Sequence, residues 1–163
     1  MSALPPVRKS VVVPLDADAA FDLFVRRLPE WWPLEHRSAT ESPLSCHVEP
    51  EVGGRLYEKL HDGGEAVWGV FRIVESPARA VFSWHPGLPA SAATEVEITF
   101  TPLPRGTRVD IEHRDWERLG ARAEMVRGRY DGGWVGVLSC YVALASGTPE
   151  AAAVGEAASC RSI

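Results

Sequence analysis

The sequence predicts an α+β fold: a curved antiparallel sheet of about seven strands wrapped round a long C-terminal helix, with one or two short helices after the first strand. Three observations carry this. Residues 94–101 and 107–114 alternate apolar and polar side chains with the period of half-buried strands. Short turns rich in Gly and Pro separate the strand-like runs, as in a meander. Residues 119–145 then read at helical spacing, with Leu119, Ala123, Val126, Tyr130, Trp134, Val137, Tyr141 and Leu144 on one stripe. A meander with one apolar face needs a cover, and only this helix is long enough to supply it. A sheet curled round the helix encloses a volume that is either filled by side chains or left as a ligand cavity.

The elements follow in order. Residues 7–13 read as a strand stopped by Pro14. Asp16 suits an N-cap, since its carboxylate can accept the free amides of a first helical turn. Ala17, Ala20, Phe21, Phe24 and Leu28 mark the apolar face of a short helix, with Pro29 expected to end it. Trp31 and Trp32 form a corner. Neighbours in a helix point about 100° apart, so one indole is expected in the core and the other at a surface or cavity mouth. Residues 36–43 are polar and turn-like, and residues 44–49 and 55–60 read as strands about a Gly53-Gly54 turn. In the second of these strands Leu56, Glu58 and Leu60 share a face. Gly63-Gly64 turns the chain into strands at 66–74 and 80–85. On the last strand Thr107, Val109, Ile111 and His113 face the dry side, where His113 is the one polar ring. Residues 1–146 make a single domain, and 147–163, small and polar without periodicity, a disordered tail.

Gly128, Gly132, Gly133 and Gly136 lie inside the long helix, where each costs about 1 kcal/mol against alanine. They either let another backbone approach or leave space beside Trp134; close packing on the sheet is the expectation.

The bulk properties exclude several classes. A chain of 163 residues can bury a proper core, and 45% hydrophobic with 24% charged residues is ordinary for a soluble domain. The net charge of -5 and scattered arginines give no footprint for nucleic acid. Cys46, Cys140 and Cys160 are far apart and show no CxxC spacing, so neither a zinc site nor a disulfide framework is indicated. No apolar leader opens the chain and no run is long enough to span a bilayer, so a cytoplasmic location is expected.

Sequence motifs for catalysis are absent as well. There is no GxSxG, P-loop, GxGxxG or HExxH. The five histidines and the carboxylates fit no metal-ligand spacing, so no metal and no cofactor are expected. Asp110, Glu112 and Arg114 read as a solvated charge ladder on the wet face.

Several words, in this order, carry a resemblance. They are VVVPLDADAAFDLF at 11–24, EVGGRL at 51–56, WGVFRIVESP at 68–77 and AVFSW at 80–84. TEVEITF at 94–100, GTRVDIEH at 106–113 and YDGGWVGVL at 130–138 complete the set. Together they resemble the helix-grip superfamily of START-like and birch-pollen-allergen-like proteins. Within it they are most similar to the family related to the C-terminal domain of the heat-shock-protein-90 ATPase activator. The resemblance implies an apolar cavity between sheet and helix. It leaves three functions open: ligand binding, a cyclase or hydrolase activity, or chaperone binding in a stress response.

The candidate site is the aromatic set placed to line such a cavity: Trp32, Phe71, Trp84, Phe100, Tyr130 and Trp134, with His113 as its polar member. The first expectation is non-enzymatic binding of a small apolar or aromatic molecule. The alternatives are a chaperone co-factor and a cyclase- or hydrolase-like enzyme using Glu58 and His113. The enzyme requires Glu58 to approach His113 or Tyr130 inside the cavity.

Overall fold

The structure is a computed structural model that describes residues 4–33, 45–60 and 62–147. The expectations for residues 36–43, for His61 and for a tail from 148 onward lie outside the described residues.

Seven antiparallel strands form one sheet: β1 (Val7–Val13), β2 (Ser45–Val48), β3 (Arg55–Lys59), β4 (Glu65–Glu75), β5 (Arg79–Trp84), β6 (Thr94–Leu103) and β7 (Gly106–Arg114). Their spatial order is β1-β7-β6-β5-β4-β3-β2. Sequential strands pair as a meander, and β1 closes against β7 at the far edge. The alternation in β6 and β7 is the burial pattern observed. Val96, Ile98 and Phe100 lie opposite His113, Ile111 and Val109, and all six are buried.

The sheet curls at Gly69. A Cβ there would sit 1.7 Å from the Ser83 carbonyl oxygen on β5, so only glycine lets the two strands close. The register shifts at Leu56/Tyr57 and at Phe71/Ile73 flank this point and bend β4 further.

After β1, Asp16 caps α1 (Ala17–Phe21), its carboxylate accepting the Ala19 amide at 2.8 Å. The helix runs into a π-helical turn at Asp22–Arg26 and then α2 (Leu28–Trp31). Pro29 does not end a helix here. It sits in the first turn of α2, where a missing N–H costs nothing. Trp31 and Trp32 are both buried, against the expectation of one in and one out. Trp32 has left helical geometry (φ -63°, ψ 127°), so the helical offset does not apply to the pair.

The long helix starts later than its stripe suggests. A 3-10 segment, Trp116–Arg122, precedes α3 (Ala123–Ala145), with Gly120 at φ 60° and ψ -132° breaking the geometry between them. From Ala123 the stripe is buried or half-buried to its end, and α3 packs across the sheet beside β1. The core is aromatic. Phe24 meets Trp31, Phe100 and Tyr141, with ring centroids 4.9, 6.0 and 4.8 Å apart. Trp32 meets Trp68, Trp84 and Trp134 at 5.7, 5.5 and 6.1 Å. Each pair contributes about 0.5–1.5 kcal/mol beyond its buried area. Among the described residues no helix is long and apolar enough to cross a membrane.

On the outer face a ladder of ion pairs crosses the strands. Arg8 meets Glu112 at 3.0 Å, and Arg114 meets Glu112, Glu97 and Glu95 at 2.7, 2.6 and 2.8 Å. Arg79 continues it from Glu97 to Glu75. This places Glu112 and Arg114 in the charge ladder expected of them, and Asp110 pairs beside it with Arg108 at 2.9 Å.

Candidate functional site

A cleft of about 690 Å³ opens between the β5–β6 end of the sheet and the N-terminal half of α3. Trp84, the last residue of β5, and Thr94, the first of β6, form its sheet side. The turn after β5 forms one wall through His85 and Leu88. Leu119, Arg122, Val126, Arg129 and Tyr130 form the other, with Gly132 and Gly133 beyond them. Among the described residues no carboxylate lines it.

Two glycines of α3 have open space where a side chain would be. A Cβ on Gly128 or Gly132 would meet no heavy atom within 4 Å. Close packing on the sheet therefore does not explain either of them, in contrast to the expectation from sequence. Gly132 lines the cleft, where the missing side chain leaves open volume.

Behind the cleft lies a directed chain of hydrogen bonds. The indole N–H of Trp134 donates to His113 Nδ1 at 3.0 Å. Indole only donates, so the His113 proton resides on Nε2, which contacts Thr94 Oγ1 at 2.7 Å. Thr94 in turn donates to the Trp84 carbonyl at 3.1 Å. The Trp84 indole N–H donates to the Tyr130 hydroxyl at 3.0 Å. Every polar atom of His113 is thus engaged, and its ring is fully buried between Trp116 and Trp134. Burial pushes its pKa down to about 3, so the imidazole is neutral at ordinary pH.

Tyr130 brings this chain to the helix side of the cleft, opposite Trp84 and Thr94. Burial holds its phenol above the ordinary value, against the opposing effect of the Trp84 hydrogen bond. Its oxygen accepts from Trp84, and among the described residues its own proton meets no acceptor. His85 also faces the cleft. Its Nδ1 lies 2.9 Å from the Leu88 carbonyl, which only accepts, so Nδ1 carries a hydrogen and donates it there. The cleft therefore offers one phenolic donor, one imidazole ring and two guanidinium groups on otherwise apolar walls.

Of the residues singled out from sequence, Trp84 and Tyr130 line this cleft. Trp32 and Trp134 pack behind Trp84, and His113 connects Trp134 to Thr94. Phe100 lies deeper, against Phe21 and Phe24, and Phe71 lies against Phe82. Glu58 is buried on β3, and no hydrogen bond joins it to His113 or Tyr130 among the described residues. Three strands, β4, β5 and β6, separate it from β7, which carries His113. The polar pair required of an enzyme built on Glu58 and His113 is not assembled. Sequence reading missed His85, Arg122 and Arg129. The available signal was the pair of arginines seven residues apart flanking the apolar stripe at Val126.

Among the described residues no cluster of three or more His, Cys, Asp or Glu is arranged to hold a metal. A second concavity, about 410 Å³ on the outer face over β1, β7 and β6, is lined by Lys9, Glu97, Asp110 and Glu112 among others. These four are all paired: Lys9 meets Asp131 at 2.9 Å, and the other three belong to the ion pairs above.

Comparison with known proteins places the chain. The profile of the family described as "Activator of Hsp90 ATPase homolog 1-like protein" matches residues 17–139. The anthrahydroquino-γ-pyrone synthase Txn09, solved in complex with the ligand SUM, is 34% identical. That match covers 80% of this chain and 90% of the synthase, with a TM-score of 0.55. CalC from Micromonospora echinospora, a self-sacrificing resistance protein, is 32% identical, with 86% and 94% covered and a TM-score of 0.64. Protein NE0264 from Nitrosomonas europaea shares the fold at 17% identity, with 88% and 96% covered and a TM-score of 0.63. No curated protein matches the chain.

Proposed function

The chain belongs to the Activator of Hsp90 ATPase homolog 1-like family, and from that premise we propose that it binds a small apolar or aromatic molecule, without turning it over, in the cleft between the sheet and α3. The observation that carries this is the cleft itself: about 690 Å³, walled by Trp84, Leu88, Leu119, Val126 and Tyr130, with the side-chain space of Gly132 left open. That volume is within the range of small-molecule sites, which run to about 300–1,000 Å³. The relatives support the small-molecule part of the reading, since one is an anthrahydroquino-γ-pyrone synthase solved with a ligand and another is a self-sacrificing resistance protein.

Chaperone docking is the weaker reading. It calls for a large exposed apolar patch or a charged docking face; among the described residues the exposed large apolar side chains, Val12, Val52, Leu103, Met125 and Val135, lie on separate turns and elements, and the charges of the outer face are paired with one another.

The test is a titration with phenylnaphthylamine, a neutral apolar fluorophore, followed by its emission and by quenching of tryptophan. The intact protein should bind it saturably at one site. Gly132→Phe should abolish that binding while the thermal transition is retained, because the ring would occupy the open volume. Equal binding by the two proteins would sink the assignment of the site.

A further inference from the structure

Arg122 and Arg129 line the cleft, unlike the other described arginines, of which Arg105, Arg118 and Arg127 also make no ion pair among the described residues. The rest are committed to carboxylates: Arg8, Arg26, Arg27, Arg55, Arg72, Arg79, Arg108 and Arg114 each lie within ion-pair distance of one. Arg122 and Arg129 make no ion pair among the described residues, and both line the cleft. They are seven residues apart, two helical turns or about 10 Å along the axis, with Val126 between them. Both are exposed, so their side chains can swing to the cleft mouth.

The chemistry inside points the same way. Among the described residues the cleft lining holds no Asp or Glu, in a protein whose net charge is -5. The Tyr130 hydroxyl already accepts from Trp84, so what it has left to offer a ligand is its proton. Two guanidinium groups and one phenolic donor make an acceptor-seeking mouth on an apolar pocket. Guanidinium pairs with carboxylate-type oxygens through two parallel hydrogen bonds, the strongest neutral-pH match for such an arrangement.

We infer that the ligand is an amphiphilic acid: an apolar or aromatic body seated between Trp84 and Val126, carrying an ionised oxygen acid that Arg122 and Arg129 receive at the mouth. This rests on the proposed function above and names the ligand class for that same cleft. A neutral hydrocarbon of the same shape would leave both cations unpaired and gain nothing from them.

The experiment compares phenylnaphthylamine with anilinonaphthalene sulfonate, the same dye bearing one sulfonate. In the intact protein at low salt the anionic dye should bind about ten-fold more tightly, one such charge-assisted contact being of that size. Added salt should narrow the ratio. In the R122Q/R129Q double variant the ratio should fall to about one, and R129E should invert it. Equal affinities in the intact protein would overturn the inference and leave the cleft assignment standing, as would a ratio that persists in R122Q/R129Q. Failure of both dyes to bind would overturn the cleft assignment and the inference with it.

Discussion

Trp134 donates its indole hydrogen to His113 Nδ1 across 3.0 Å, from the covering helix to the last strand of the sheet. This one bond sets the histidine tautomer, so that Nε2 donates to Thr94, whose own hydrogen goes to the Trp84 carbonyl; the Trp84 indole separately donates to Tyr130. His113, the polar member of the aromatic set singled out from sequence, is fully buried behind the cleft and joins Trp134 to Thr94.

The joint makes stability depend on pH. His113 has its pKa pushed from 6.5 down to about 3 by burial, so the unfolded chain binds the proton that the folded chain refuses. Folding stability from this group is complete above about pH 6.5 and is lost as pH falls toward 3, at up to about 1.4 kcal/mol per pH unit. Between pH 7 and pH 5 the loss should be about 2 kcal/mol. Urea denaturation of the parent and of His113→Gln across that range isolates it, because the glutamine does not titrate. The variant should be less stable at pH 7 and flatter with pH. Parallel curves would show that the imidazole is not held neutral.

A second acid-sensitive element lies on the opposite face. Burial works to raise the Glu97 carboxyl, but hydrogen bonds and charge from Arg114 and Arg79 outweigh it and leave it below the usual carboxylate range. A lowered carboxylate stabilises the fold above its unfolded value and loses that contribution as pH falls through the folded one. Arg114 also meets Glu95 and Glu112, so Arg114→Gln strips three carboxylates of a shared partner. The expected cost is about 1 kcal/mol at neutral pH, measured by denaturant midpoint, and it should shrink below pH 4 as the carboxylates become protonated. An equal cost at both pH values would mean that packing of the arginine stem, not charge, is what was removed.

The sheet was legible because one of its faces is wet. Alternation in 94–101 and 107–114 is a direct print of burial, and the Asp16 cap and the stripe from Ala123 to Leu144 are equally local signals. The errors arose where local geometry departs from the regular element. Pro29 was read as a stop although a first turn tolerates it, and Trp32 was given a helical offset although its backbone is extended. The helix start was placed too early because Leu119 continues the stripe, while the break signalled by Gly120 is invisible to apolar periodicity. The cleft was legible only in Trp84 and Tyr130. His85, Arg122 and Arg129 contribute through a turn and through missing ion pairs, and a missing partner is a property of three-dimensional neighbours.

The curl of the sheet should depend on one hydrogen atom. At Gly69 an added methyl would lie 1.7 Å from the Ser83 carbonyl oxygen, a backbone atom with no freedom to retreat. Gly69→Ala must push β4 from β5 and should cost at least about 2 kcal/mol by chemical denaturation, as overpacked sites do. Gly63→Ala is the comparison. There φ is +87° but nothing lies within 4 Å, so its cost should stay near the 1 kcal/mol of a left-handed backbone. If the two variants were equally stable, close approach of the strands would not be what requires the glycine.

Gly128 and Gly132 separate stability from binding. Both lie in the interior of α3 with open space where a Cβ would be, so each substitution to alanine should raise stability by about 0.5–1 kcal/mol through helix propensity. Only Gly132 lines the cleft. Gly128→Ala should therefore stabilise the protein and leave phenylnaphthylamine affinity as it was. Gly132→Ala should stabilise it by a similar amount and weaken the dye several-fold, since the methyl takes volume from the site. Thermal melts with dye titrations on the two variants read both quantities at once. A stabilised Gly132→Ala that binds as tightly as the parent would show that the glycine is not there to make room, and the open space beside α3 would lose its meaning as a binding chamber.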